Sequence, residues 1–253
     1  MIIPVIERYT LPEMGSIWSD QRRLETWKQV EVAAIRAFQK AGRIPEGVAA
    51  AGADAPCPTP EQVAEREEVT NHDLAAFVDL LGAAAGEDAA GWVHYGLTSS
   101  DVLDTAGAIL LRESAHLISS ALADLRSAVV RRAFEHRTTF MVGRTHGIWA
   151  EPTTFGLKLA GWAFELARDE QRLVAAAEAV AVGKLSGAVG TYAHVSADIE
   201  ADVCATLGLG IEPASTQVTA RDRHAQYLST LALIGASIER MATEIRHLQR
   251  SEV

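Results

Sequence analysis

Cysteine is nearly absent from this chain, which has two in 253 residues, Cys57 and Cys204. They lie far apart with no partner at metal-ligand spacing, so neither a zinc site nor a disulfide framework is indicated, and both read as reduced thiols of a cytosolic protein. Long apolar runs are missing too. No uninterrupted stretch reaches the roughly 18 residues that suggest a membrane span. The opening MIIPVIERYTLPEMG lacks an apolar core followed by a small-residue cleavage site, and a cytoplasmic protein with no membrane contact is expected. Positive charge is in deficit, with 23 Lys and Arg against 33 Asp and Glu, a net charge of -10. Without a basic run, a nucleic-acid partner is not expected, although a few locally placed cations still suit a small anion. Alternating strand patterns are scarce as well. No Ser/His/Asp spacing, no nucleotide-type glycine loop and no metal spacing occurs.

What the chain does have is helical spacing. With 48% hydrophobic residues it can bury one large core or two modest ones. Tyr227, Leu231, Ile234, Ile238, Met241, Ile245 and Leu248 recur at steps of three and four, the seam of a long packed helix. A second seam runs Leu111, Ala115, Ile118, Leu122, Leu125, Val129, and a third Phe155, Leu159, Trp162, Leu166. A final helix from Arg221 to Arg250 would be about 45 Å long at 1.5 Å per residue, more than a compact domain of this size requires. The expected fold is all-α, with long bundle helices that continue across subunits.

The first hundred residues carry shorter helical pieces, Ser19 to Ala41 and Thr59 to Leu81, joined by a Pro/Gly/Ala-rich connection over 42–60. Thr59 as N-cap, Pro60 at the first helical position and Gln62 three residues on form a capping box. A domain boundary is expected near residue 105, dividing a small N-terminal helical domain, 1–105, from the first part of a bundle domain, 106–253.

Four polar clusters interrupt this scaffold. Arg8 and Tyr9 stand beside a turn at Pro12. In VTNHDLAAFV, His72 and Asp73 sit on a helix as either a solvent-facing pair or a tuned acid and anion ligand. In HYGLTSSDVLDTA, which begins at His94, Thr98, Ser99, Ser100 and Asp101 precede an apolar helical run. They are either a helix cap or, by the same geometry, a carboxylate or phosphate site at a helix N-terminus. The fourth cluster, VGRTHGIWAEPTTFG, places Thr145, His146 and Glu151 between two long helices. Downstream, GKLSGAVGTYAHV has glycines at 183, 187 and 190 that mark tight turns. In PASTQVTARDRHA, Ser215, Thr216 and Gln217 are neutral donors ahead of the last helix. Together these histidines, hydroxyls and amides suit a site that grips an anion and moves protons.

ERYTLPEMGSIWSD, NHDLAAFV, HYGLTSSDVLDTA, GRTHGIWAEPTTFGLKLAGW, GKLSGAVGTYAHV and the run from STQVTARDRHAQYL to LQRSEV follow one another in an order that resembles the adenylosuccinate lyase family of the fumarase/aspartase superfamily. The resemblance covers nearly the whole chain. It implies a homotetramer with a central helical bundle and shared active sites. It also implies elimination of fumarate from adenylosuccinate to give AMP and from SAICAR to give AICAR in purine synthesis, with no metal or organic cofactor.

By the same resemblance, His146 is the general acid and Thr145 a neighbouring substrate donor. Arg8 and Tyr9 hold the nucleotide phosphate. His72, the second histidine of the catalytic set, supports the phosphate side and is oriented by Asp73. Thr98 and Ser99 bind carboxylate, Gln217 binds the succinyl group, and His94 assists nearby. His116, His136, His194, His224 and His247 read as surface or helix-end residues. Trp149 stands where many relatives have histidine.

The family's serine-rich loop, carrying its proton-abstracting serine, and a Met-Pro-His-Lys-Arg-Asn-Pro run would follow LQRSEV. An N-terminal portion with little activity of its own is therefore expected. The alternatives are another lyase or cycloisomerase of the superfamily, such as argininosuccinate lyase, and a non-catalytic helical assembly module.

Overall fold

A computed structural model describes residues 7–251; the N-terminal MIIPVI, read above for a leader, lies outside them. A 3-10 turn at Glu7–Tyr9 leads into helices α1 (Pro12–Ile17), α2 (Asp20–Lys40), α3 (Val48–Asp54), α4 (Pro60–Thr70), α5 (Asp73–Ala85), α6 (Glu87–Ala90) and α7 (Ser99–Glu135). Strands β1 (Phe140–Thr145) and β2 (Ile148–Thr154) form a hairpin, followed by α8 (Phe155–Val180). A two-residue strand β3 (Val182–Gly183), α9 (Ala197–Leu207), a second short strand β4 (Gly210–Ile211) and α10 (Asp222–Leu248) complete the order. No helix among the described residues is long and apolar enough to cross a membrane.

The chain divides into two compact units: 1–114 with 180–221, and 115–179 with 222–253. This differs from the single cut expected near residue 105. The division falls inside α7, and the segment from Val180 to Arg221 belongs with the first unit. Its polar side chains explain why: Lys184 pairs with Asp101, and Thr219 and Arg221 bond Asp104.

In the first unit α2 is the central element. Ser19 caps it by accepting from the Arg22 N–H at 3.1 Å, which satisfies one of the free donors of the first turn. Leu24, Trp27, Val30, Ile35 and Phe38 are all buried along the helix, and Trp27 meets Phe77 of α5 edge-on with ring centroids 5.4 Å apart. α2 packs on α3 and α9, and α4 on α5. The capping box at Thr59 forms as expected: Thr59 accepts from the Gln62 N–H, and Gln62 accepts from the Thr59 N–H. β3 and β4 pair in parallel and fix the chain as it leaves and re-enters this core.

The second unit consists of the rest of α7, the hairpin, α8 and α10. Leu122, Leu159, Trp162, Leu166, Tyr227, Ile234 and Met241 of the three expected seams are buried. Arg126 to Glu170, Lys158 to Glu244 and Arg240 to Glu165 tie α7 to α8 and α8 to α10. Only part of the last seam is covered: Ile238 and Ile245 are exposed, as are Phe134, Leu157, Phe164 and Leu233.

Candidate active site

At the start of α7 the residue types allow both a helix cap and an anion site. The cap is built here. Thr98 occupies the N-cap position, and its N–H donates to the Asp101 carboxylate at 2.9 Å while its carbonyl accepts from the Asp101 N–H at 2.9 Å. This leaves the side chains of Thr98 and Ser99 at the first turn of a 37-residue helix, half-buried. Backbone N–H groups and the helix dipole favour negative charge at such a place.

Asp101 itself is wholly buried and faces an equally buried Lys184. The ammonium donates to three acceptors: the Asp101 carboxylate, the Gly187 carbonyl at 3.1 Å and the Gln217 carbonyl at 2.9 Å. An ammonium has three donors, so the buried cation is fully satisfied. One ion pair thus joins the start of α7, the 184–190 loop and the 215–217 loop. Ser186 and Ser215 hydroxyls meet at 2.6 Å in the same corner. Gly190, at φ +75°, lies so close to the second loop that a Cβ there would sit 2.1 Å from the Ser215 carbonyl oxygen. Next to this, Asp104 accepts from the Thr219 N–H at 2.8 Å and from Arg221 at 2.9 Å. Of the residues expected at the site, this corner brings together Thr98, Ser99 and Gln217. His94 precedes it by one turn, the Leu97 N–H donating to the His94 carbonyl at 3.2 Å.

His72 is the N-cap of α5. Its Nδ1 accepts from the Ala75 N–H at 3.3 Å, so the ring proton belongs on Nε2, which is then available as a donor. Asp73 caps the same helix through the Leu74 N–H at 2.7 Å and stands 3.5 Å from the His72 ring and 4.0 Å from the Arg23 guanidinium. Arg23 lies over the Trp27 ring with its Nε buried and unpartnered. Arg8 donates to the Tyr9 hydroxyl at 3.0 Å, and both residues are exposed. Among the described residues no hydrogen bond or ion pair connects Arg8 and Tyr9, or His72 and Asp73, to the Thr98 corner.

In the second unit the stretch around His146, which interrupts the helical pattern of the sequence, is a β-hairpin. Thr145 pairs with Ile148, so His146 and Gly147 are a two-residue turn with φ of +55° and +77°. That is the primed geometry whose twist matches the strands. Glycine adopts it freely, and histidine is among the few other residues enriched in the left-handed region. Ala150 and Glu151 together oppose Gly143, as the register shift between Val142 and Arg144 requires; such a bulge re-aims the strand that carries it. The tip holds Thr145, His146 and Trp149 in the open, Trp149 at 76% exposure. One face of the hairpin, with α8 and α10, encloses a cavity of about 970 Å³ lined by Arg144, Lys158, Glu244, His247 and Arg250. Thr145 lines it and His146 does not.

Lys184, Asp104 and Glu31 were not singled out by sequence reasoning, and Asp101 was read only as part of the helix start. Asp101 carried the only local signal, its position three residues after Thr98, where the side chain reaches back to the N-cap. Among the described residues no group of His, Cys, Asp and Glu is arranged to hold a metal ion.

Both units are built on long helices, with helix-start donors in one and an exposed histidine on a hairpin in the other. The family described as "Lyase" matches residues 8–253, and the chain belongs to it. It is 51% identical over 98% of its length to the adenylosuccinate lyase of Synechocystis sp. and 47% identical over 98% to that of Aquifex aeolicus. The chain spans 58% and 57% of the length of these two curated relatives. Among solved structures, a fumarate lyase from Mesorhizobium sp. superposes with a TM-score of 0.88 at 33% identity, over 94% of this chain and 57% of that one. The 3-carboxy-cis,cis-muconate lactonizing enzyme of Pseudomonas putida gives 0.89 at 30%, over 96% and 57%. The all-α, fumarase/aspartase-like fold expected from the sequence is the one these structures share.

Proposed function

We propose that the chain supplies one side of an adenylosuccinate-cleaving site, releasing fumarate from adenylosuccinate and from SAICAR. The observation that carries this reading is the 46–51% identity to four enzymes named adenylosuccinate lyase, sustained over 98% of the chain. Elimination begins with loss of a proton from the carbon beside a carboxylate and builds negative charge there, which needs dense preorganised donors. The start of α7, with Thr98, Ser99 and Gln217 around the Lys184 ion pair, has that chemistry and would take the succinyl carboxylates. The departing nitrogen must be protonated, and His146, exposed on a two-residue turn, suits a general acid near neutral pH. Nε2 of His72, with Asp73 beside it, and the Arg8–Tyr9 pair are matched to the nucleotide phosphate. The proton-abstracting base comes from outside these residues. His146 and the other residues work in one site when copies of the chain assemble, as a homotetramer. The exposed apolar side chains of the second unit, Phe134, Leu157 and Phe164 among them, support such a partner.

The test is a chimera in which this chain is joined to the part of the Synechocystis enzyme that the match does not cover. Adenylosuccinate loss is followed by absorbance, beside argininosuccinate as the alternative substrate. Turnover of adenylosuccinate alone is expected from the chimera, and little or none from the 253-residue chain. Turnover of argininosuccinate instead would overturn the reading.

A further inference from the structure

Glu31, in the middle of α2, is wholly buried. Its two carboxylate oxygens face two nitrogens of one residue: Oε2 accepts the His94 backbone N–H at 2.9 Å, and Oε1 lies 2.6 Å from His94 Nδ1. His94 adopts φ +63°, a left-handed conformation that L-residues take up only where the surroundings hold them. The bidentate grip of Glu31 provides that hold. It links residues 63 positions apart and sets the ring one turn before the Thr98 cap. Nε2 is neither buried without a partner nor bonded within the described residues, and the side chain keeps 23% exposure.

We infer that Glu31 is a positioning residue that holds the His94 ring in its Nδ1-protonated form and leaves Nε2, a bare acceptor, as the one ring atom available to a hydrogen-bond donor of a ligand at the start of α7. The donor inventory requires it. A carboxylate offers only acceptors, so both His94 atoms that face it must be donors, and a carboxylate behind an imidazole fixes tautomer and orientation together. The arrangement deepens the reading above, on which it rests for the identity of the ligand.

Replacing Glu31 by glutamine tests this with almost no change in shape. One acceptor becomes an NH2 donor. The His94 backbone N–H cannot change its role and keeps the remaining oxygen, so the new donor faces Nδ1, and the ring must give up the Nδ1 proton and carry it on Nε2.

The side-chain 15N resonances of His94 in the 253-residue chain, recorded at about pH 8, above the ordinary histidine range, report which nitrogen is protonated. Nδ1 protonated in the wild type and Nε2 alone protonated in E31Q is the expected pair of results. A wild-type ring with a bare Nδ1 overturns the inference, and so does E31Q with Nδ1 still protonated. If E31Q fails to fold, the wild-type spectrum decides alone. AMP, whose amino group and ribose hydroxyls are donors, is expected to move the Nε2 resonance when added to the wild type. An Nδ1-protonated ring that ignores AMP upholds the positioning role and counts against the lyase reading of this corner.

Discussion

Lys184 and Asp101 form an ion pair in which neither side chain has any exposed surface, 83 residues apart in the chain. Buried pairs add little net stability over an apolar pair of similar size, yet removing one partner strands the other in a medium that solvates it poorly. The pair is therefore a device for location, holding Gln217 and the first turn of α7 in register.

Lys184→Met should destabilise the first unit by about 3–5 kcal/mol, the cost of an uncompensated buried charge. The double variant K184M/D101L should recover only part of that loss, because the Thr98 and Gly187 N–H groups lose their acceptor with Asp101, while the loops at Gly187 and Gln217, having lost their shared donor, lose their fixed positions. Urea unfolding of the three proteins checks the first statement, and amide exchange at residues 186–190 and 215–218 the second.

Stability should fall in alkali. Burial pushes the Cys204 thiol up to about 12, and the hydrogen bond to Glu200, aided by burial, pushes the Tyr192 hydroxyl up to about 12. Both groups hold their protons more tightly folded than unfolded. Their contribution is complete below the unfolded values, about 8.5 for cysteine and about 10 for tyrosine. It drains away as pH rises toward 12, because the unfolded chain binds fewer protons there. Midpoints of chemical unfolding between pH 8 and 11 should decline, and C204A/Y192F should flatten the decline. At pH 8 Cys57, half-buried with its thiol also raised, should be alkylated before Cys204, which reacts only on unfolding.

Much of this arrangement could be read from the sequence, and what could not has a common cause. The seams through Met241 and Leu166, the capping box at Thr59 and the helix start near Thr98 depend on neighbours within four residues, where spacing is informative. The hairpin was hidden because its turn rests on a histidine at positive φ and its strands are largely exposed, so no apolar alternation marks them. The partners of Asp101, Asp104 and His94 come from 63 to 117 residues away, and a long-range polar pair leaves no periodic trace. Which roles the expected residues play is likewise a question of chemistry that spacing does not answer.

Gly190→Ala should abolish the geometry around Ser215. Its Cβ would meet backbone, which cannot rotate away, and the residue would remain at φ +75°. The prediction is a folded protein with a displaced 215–217 loop and weakened carboxylate binding, measured by fumarate titration. Ala at Gly187, whose surroundings are open but whose φ is +82°, should cost backbone strain of about 1–2 kcal/mol and disturb the loop less.

His146→Asn should lower turnover of adenylosuccinate by about 10²–10⁴-fold in the chimera, the usual worth of a general acid, with little change in unfolding midpoint, because the ring is exposed and makes no hydrogen bond or ion pair among the described residues. Asparagine tolerates the left-handed turn as histidine does, so a loss of activity would report the imidazole and not the hairpin. Unchanged turnover would remove His146 from the acid role.

The first compact unit is made of two stretches separated by the 65 residues from Ala115 to Ala179. A ribosome therefore delivers α2 and the start of α7 well before Lys184, and for that interval Asp101 has no counter-charge. Completion of this unit must wait until residue 221 has emerged, which makes a nascent chain of intermediate length the species most exposed to chaperones and proteases.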